Sequence, residues 1–210
     1  MSIAPTLQKY LAAENVQYEE ILHELSMSST RTAEACHISG DRLAKGIVLR
    51  RDGEYMLAVM PASHHLRLSE LRTKLGDNVD MADETEINQL FRDCAHGAVP
   101  AVGKCYGLDI IVDDSIEAQP EIYMEAGDHQ TLLHLTHAQF ARLTANAPHG
   151  RFSAHDCGFV VVLADGQIFW RQSARVRCRA GTRAAKSLSN AAATAFVWSD
   201  RAGMMLSSAP

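Results

Sequence analysis

Apolar positions recur along this chain in two rhythms, three or four residues apart in some stretches and alternating in others. Ile3, Leu7 and Leu11 share one helical face, so residues 3–14 read as a short amphipathic helix. Val16 to Leu22 alternates as a strand does. Ser28-Ser29-Thr30 offers N-cap residues for a helix to about His37, with Glu34 placed to complete a capping box. Lys45 to Arg51 and Glu54 to Met60 are apolar-rich runs joined at Asp52-Gly53, which predicts a hairpin that Pro61 ends. Leu66 to Leu75 reads as a helix stopped by Gly76. Asp83 to Phe91 reads as another, with Asp83 as cap and Glu86 three residues on. Leu108–Val112, Glu121–Glu125 and Thr131–Leu135 predict strands, and Thr136 caps a helix from His137 to Thr144.

Short strands mixed with short helices, some joined by hairpins and without regular β-α-β alternation, predict an α+β (mixed α/β) domain over residues 1–153. Beyond residue 153 the character changes. Phe159–Leu163 and Gln167–Trp170 flank Asp165-Gly166 as one extra hairpin would, and a basic, Ala/Ser-rich stretch follows. Residues 154–210 therefore read as a basic extension, poorly ordered after the hairpin.

Charge sharpens this division. Residues 1–153 hold thirteen Lys and Arg against twenty-two Asp and Glu, whereas residues 154–210 hold seven against three. An acidic body disfavours non-specific nucleic-acid binding, which depends on neutralising phosphates, but allows local recognition of a nucleic-acid end. The basic extension could offset the body near RNA. No run reaches the roughly 18 apolar residues of a membrane span, and the start lacks a signal-peptide pattern, so a cytoplasmic protein is expected. Five widely spaced cysteines with no C-x-x-C pair argue against disulfides and structural zinc, and the scattered histidines argue against any metal or other cofactor.

Two segments carry candidate chemistry. Gly97-Ala98-Val99-Pro100-Ala101 is an apolar loop of small residues that can bring backbone N–H groups close to a ligand. Lys45 heads an otherwise apolar strand. Together they suggest binding and polarising an oxygen-rich, anionic group.

These stretches resemble the YbaK/ProX-type family of aminoacyl-tRNA deacylases, also called the prolyl-tRNA synthetase-associated domain. The resemblance runs in order through His23 with Ser26–Thr32, Ala44-Lys45, Val59–His64 and Leu68–Gly76. It continues through Leu90–Cys94, Gly97–Pro100, Tyr106-Gly107, Val112–Ser115 and Glu125–His129, covering roughly residues 5–153. It implies a YbaK-like domain, a central mixed sheet or partial barrel flanked by short helices. It also implies a free-standing enzyme that hydrolyses mischarged aminoacyl-tRNA, with the aminoacyl-tRNA 3′ end and an aminoacyl-tRNA synthetase as partners. The family's essential lysine maps onto Lys45, and its G-x-x-x-P loop onto the segment from Gly97. Here the proline stands one place early, at Pro100, with Ala101 fifth. Where some relatives have asparagine after the lysine, this chain has Gly46.

The expected chemistry is ester hydrolysis, with Lys45 and N–H groups of the loop stabilising charge on the carbonyl or ribose oxygens. Ser28, Thr30, Gly46 and His129 are further substrate-binding candidates. Ala98, Val99 and Ala101 suggest a pocket for a small amino acid such as alanine or serine. The alternatives are an inactive accessory module that binds tRNA or a synthetase, and a thiol hydrolase built on Cys94 and His96. Cys94 reads better as a buried structural cysteine, since a catalytic thiol needs a positioned base.

Overall fold

The computed structural model describes residues 3–155, 159–162 and 168–171, and the chain divides into two compact units, Met1–His155 and Asp156–Pro210. The first unit opens with α1 (Pro5–Ala13), which buries Leu7 and Leu11, then β1 (Glu19–Leu22) and α2 (Ser29–Ala35). The hairpin follows as β2 (Leu43–Arg51) and β3 (Glu54–Pro61), paired from Ala44–Pro61 to Arg51–Glu54. Its turn residues Asp52 and Gly53 have φ of 51° and 89°, as a tight two-residue hairpin turn requires. Next come β4 (His64–Leu66), α3 (Leu68–Leu75), β5 (Val79–Met81) and α4 (Glu84–Leu90). The unit is completed by β6 (Asp109–Asp113), α5 (Asp114–Glu117), β7 (Glu121–Glu125), β8 (Thr131–Thr136), α6 (His137–Leu143), β9 (His149–Gly150) and β10 (Ser153–His155).

The main sheet runs β1-β8-β7-β2-β3-β6-β9, with β5 also pairing with β2. It is mixed: β2–β3, β7–β8 and β1–β8 are antiparallel, whereas β2–β7, β3–β6 and β6–β9 are parallel. This is the central mixed sheet with short flanking helices that the sequence predicts.

Alternation along the central strands explains the layers. Val48, Leu57, Val59, Ile122 and Met124 join Leu7, Leu11 and Phe140 in the largest apolar cluster on one face. Leu49, Met56, Ala58 and Met60 point the other way, into a cluster with Leu71 of α3. Leu43 and Leu132 form a third cluster with Ala33 of α2. Strand β3 is thus covered on both faces, and its sequence is accordingly a nearly unbroken apolar run.

The structure alters some details. Ile3 precedes α1 yet is buried, and Leu66 belongs to β4 rather than to the following helix. The capping box drawn for α2 does not form: Ser28 makes no side-chain cap, and its carbonyl accepts from Thr32 N and Oγ1. The box at Asp83 and Glu86 does form, with both hydrogen bonds at 2.8 Å.

The second unit contains β11 (Phe159–Val162) and β12 (Ile168–Arg171), an antiparallel pair. The two strands fall in the stretches expected to form a hairpin, while the turn that would join them and the expectation of poor order further on lie outside the described residues. Among the described residues no helix is long and apolar enough to cross a membrane.

Candidate active site

At one end of the sheet an open cleft of about 430 Å³, solvent at its mouth included, is lined by Ser26–Ser29, Leu43–Gly46, Gly97, Val99, Glu125 and His129. Parallel pairing of β2 with β7 builds its floor. Leu43 and Ala44 pair with Tyr123 and Met124, so Lys45 and Glu125 are the next residues along the two strands and leave the same face.

The Lys45 ammonium donates to the carbonyls of Ala62 at 3.1 Å and His64 at 2.6 Å. Both acceptors lie where β3 passes into β4, so the bend between these strands fixes the cation. That bend is itself braced. Asp113, almost fully buried, accepts from Phe152 N and Ser153 N, each at 2.9 Å, and from Ser115. Ser153 Oγ lies 2.8 Å from His64 Nδ1, and β10 pairs along β4. Burial opposes ionisation of Asp113, but the hydrogen bonds from Ser115, Phe152 and Ser153 prevail and hold its pKa below the usual value. Burial, then the neighbouring His155, lowers the pKa of the His64 ring.

The 97–101 loop divides its residues by direction. Gly97 and Val99 line the cleft; Ala98 and Ala101 are 1% and 0% exposed and face inward. The Ala98 N–H is committed to the Ala95 carbonyl at 2.9 Å and the Val99 N–H to the Gly97 carbonyl at 3.0 Å. Pro100 has no N–H, so Gly97 is the cleft-lining member whose N–H makes no hydrogen bond among the described residues. Gly97 has φ of 82°, a conformation costly for any side chain.

Gly46 explains how the loop comes so close. A Cβ there would stand 2.9 Å from Leu57 Cδ1 and 3.2 Å from both the Pro100 oxygen and Val99 Cγ1. The absent side chain lets the loop lie directly on β2.

His129 adjoins the loop at Gly97. Its Nε2 donates to the His96 carbonyl at 2.8 Å, and its N–H donates to Glu125 Oε1 at 2.8 Å. Asp128 closes the same turn by accepting from Gln130 N, Thr131 N and Thr131 Oγ1. Burial raises the Glu125 pKa, with His129 and His23 opposing it.

The structure therefore gathers Ser28, Lys45, Gly46, Gly97, Val99 and His129 around one cleft. Thr30 is exposed and outside its lining, and Ala98, Pro100 and Ala101 support the loop from behind. Ser29, which like Ser28 and Thr30 reads from sequence as a helix cap able to line the pocket, does line it, and Ser26, Met27 and Glu125 join the lining without having been singled out as candidates. For Glu125 the available signal was its place at the end of an alternating strand, on the face opposite to buried Ile122 and Met124.

Cys94 lies elsewhere. Its sulfur is 3.3 Å from the Tyr106 hydroxyl, and burial pushes its thiol up to about 11. His96 is exposed and sits 3.8 Å from Glu84. Among the described residues no three His, Cys, Asp or Glu side chains are grouped to hold a metal ion.

Comparison with solved structures gives the same architecture. A protein provisionally described as a trans-editing enzyme for prolyl-tRNA synthetase superposes with a TM-score of 0.64 at 20% identity, covering 72% of this chain and 96% of the other. A hypothetical protein gives 0.64 at 16% identity, covering 71% and 99%. A protein from Marinobacter aquaeolei VT8, provisionally described as acting in signal transduction, gives 0.57 at 20%, covering 71% of this chain and 30% of its own. No curated protein matches the chain. The family model for the aminoacyl-tRNA editing domain matches residues 23–143, which contain the whole cleft, and the chain belongs to that family.

Proposed function

We propose that this protein hydrolyses the ester bond of mischarged aminoacyl-tRNA, acting in trans on tRNA released by a synthetase. The observation that carries this reading is the Lys45 ammonium, held by two backbone carbonyls in a solvent-open cleft that Gly97 also lines. An aminoacyl ester is already activated, so catalysis needs stabilisation of the developing oxyanion more than a protein nucleophile. Lys45 and the Gly97 N–H supply positive charge to the developing oxyanion; water, held by the vicinal ribose hydroxyl, attacks the carbonyl, and the ester-linked ribose oxygen leaves with the proton the water gives up. His129 acts as a positioning residue, because its ring holds the carbonyl adjoining Gly97.

A small amino acid remains the favoured substrate, on different grounds from the loop's alanines. The side chains that limit the cleft are Val99, Met27 and Leu43, and an apolar wall selects by excluding what is too large. The 3′ end of tRNA enters as the terminal ribose ester, and cytoplasmic translation is the setting in which such esters occur.

The test is release of amino acid from a panel of mischarged tRNAs by wild type and Lys45→Ala. Lys45-dependent release from one or two members is expected. No release by folded wild-type protein from any member overturns the reading in favour of an accessory module that binds tRNA or a synthetase.

A further inference from the structure

Glu125 takes no part in the chemistry above, yet it is the acidic side chain lining the cleft. Burying a carboxylate is costly unless hydrogen bonds or a cation compensate. The His129 N–H serves one oxygen at 2.8 Å. His23, whose Nδ1 lies 2.7 Å from the Glu24 carbonyl and whose buried Nε2 has no hydrogen-bond partner among the described residues, also favours the ionised form. Asp128 opposes it, and burial outweighs these influences, so the pKa remains raised. A cationic ligand group placed in the cleft would lower it.

The substrate of the proposed reaction brings such a group. In an α-aminoacyl ester one carbon separates the ammonium nitrogen from the reacting carbonyl. Holding the carbonyl oxygen against a cation therefore places the ammonium only a few ångströms away. Lys45 and Glu125 sit one step beyond a paired position on neighbouring strands, which lie about 4.8 Å apart. Both side chains leave the same face and line the same cleft, which thus presents a cation and an anion to the two ends of this short dipole.

We propose that Glu125 receives the α-ammonium group of the aminoacyl ester, so that the cleft accepts esters of free amino acids and discriminates against those whose amine is missing or blocked. This assignment rests on the deacylase reading. It makes Glu125 a specificity residue. The chemical class excluded includes α-hydroxyacyl, N-acyl and peptidyl esters of tRNA.

The experiment crosses substrate with variant: alanyl-tRNA and lactyl-tRNA, in which a hydroxyl replaces the ammonium, each with wild type and Glu125→Gln. Where the panel prefers serine, seryl- and glyceryl-tRNA take their place. Glutamine keeps an acceptor oxygen for the His129 N–H, and thermal melting verifies the fold. Glu125→Gln is expected to lower kcat/KM on the amino ester about 10- to 100-fold, the value of a charge-assisted hydrogen bond, and to leave the hydroxy ester unchanged. Equal losses on both esters overturn the assignment in favour of a general base or a structural role. No loss on either overturns it as well. Wild-type protein inactive on both esters and on the wider panel instead overturns the deacylase reading, and the ammonium site with it.

Discussion

The cleft and the cluster around Cys94 both contain side chains capable of nucleophilic or electrostatic catalysis, but they treat them in opposite ways. In the cleft the Lys45 ammonium is anchored by carbonyls while the cavity stays open. In the cluster, Cys94 and Cys105 pack beside Tyr106 against the main core, and burial pushes their thiols up to about 11 and about 12. The Tyr106 ring stacks at a tilt on Phe91, 4.4 Å between centroids. Chemical potential in a side chain is therefore a weak guide to function. What separates the regions is whether the backbone supplies anchors and leaves an approach.

The sharpest way to break this contrast is to remove its strongest member. Lys45→Ala is expected to cost on the order of 10²–10³ in deacylation rate with the melting temperature little changed; retained turnover in a folded variant would refute the role of the cation. Gly46→Ala comes next. Its Cβ would press on Leu57, the Pro100 carbonyl and Val99, so the loop must lift away from β2. Kinetics should show about a 10- to 100-fold loss, the usual consequence of a displacement near 1 Å at a reacting group.

Asp113→Asn probes the brace behind Lys45. The native carboxylate has a lowered pKa, so its stabilisation is present above the unfolded value near 3.8 and fades as pH falls through the folded one. The variant should melt earlier than wild type at pH 7, and this gap should narrow in acid. The thiol cluster gives the opposite sign. Its raised pKa values stabilise the fold below about pH 9, where the unfolded thiols begin to ionise, and that contribution is lost as pH rises toward 11 and 12. Cys94→Ala should flatten the alkaline limb of a melting-temperature profile. Smallest of all, iodoacetamide at pH 7.5 should leave deacylation unchanged, because Cys94 is then a half-buried, protonated thiol. Inactivation at a rate matching its modification would reverse the comparison.

Most of the frame was legible because it rests on local patterns. The Asp52-Gly53 turn, the Asp83 capping box and the alternating run Glu121–Glu125 each state their geometry within a few residues. Strands β4, β5, β9 and β10 were not legible. They span three, three, two and three residues, too short for any period to register, and they exist because distant segments dock beside them. In the site, Lys45 and Gly97 could be chosen from sequence. The inward turn of Ala98 and Ala101 could not, since small residues suit a ligand contact and a core contact equally well. Glu125 was hidden for another reason: an acidic residue at a strand end is ordinarily solvated, and only the 126–130 turn folding over it makes it part of a cleft.

Pairing β2 with β7 joins residues some eighty positions apart, and this has a consequence for how the protein comes into being. The β2–β3 hairpin can close within microseconds, but a parallel contact across so long a loop must await the larger search. Lys45, Gly97 and Glu125 are strangers until that search ends. A nascent chain that has not yet emerged as far as residue 129 therefore carries no complete cleft.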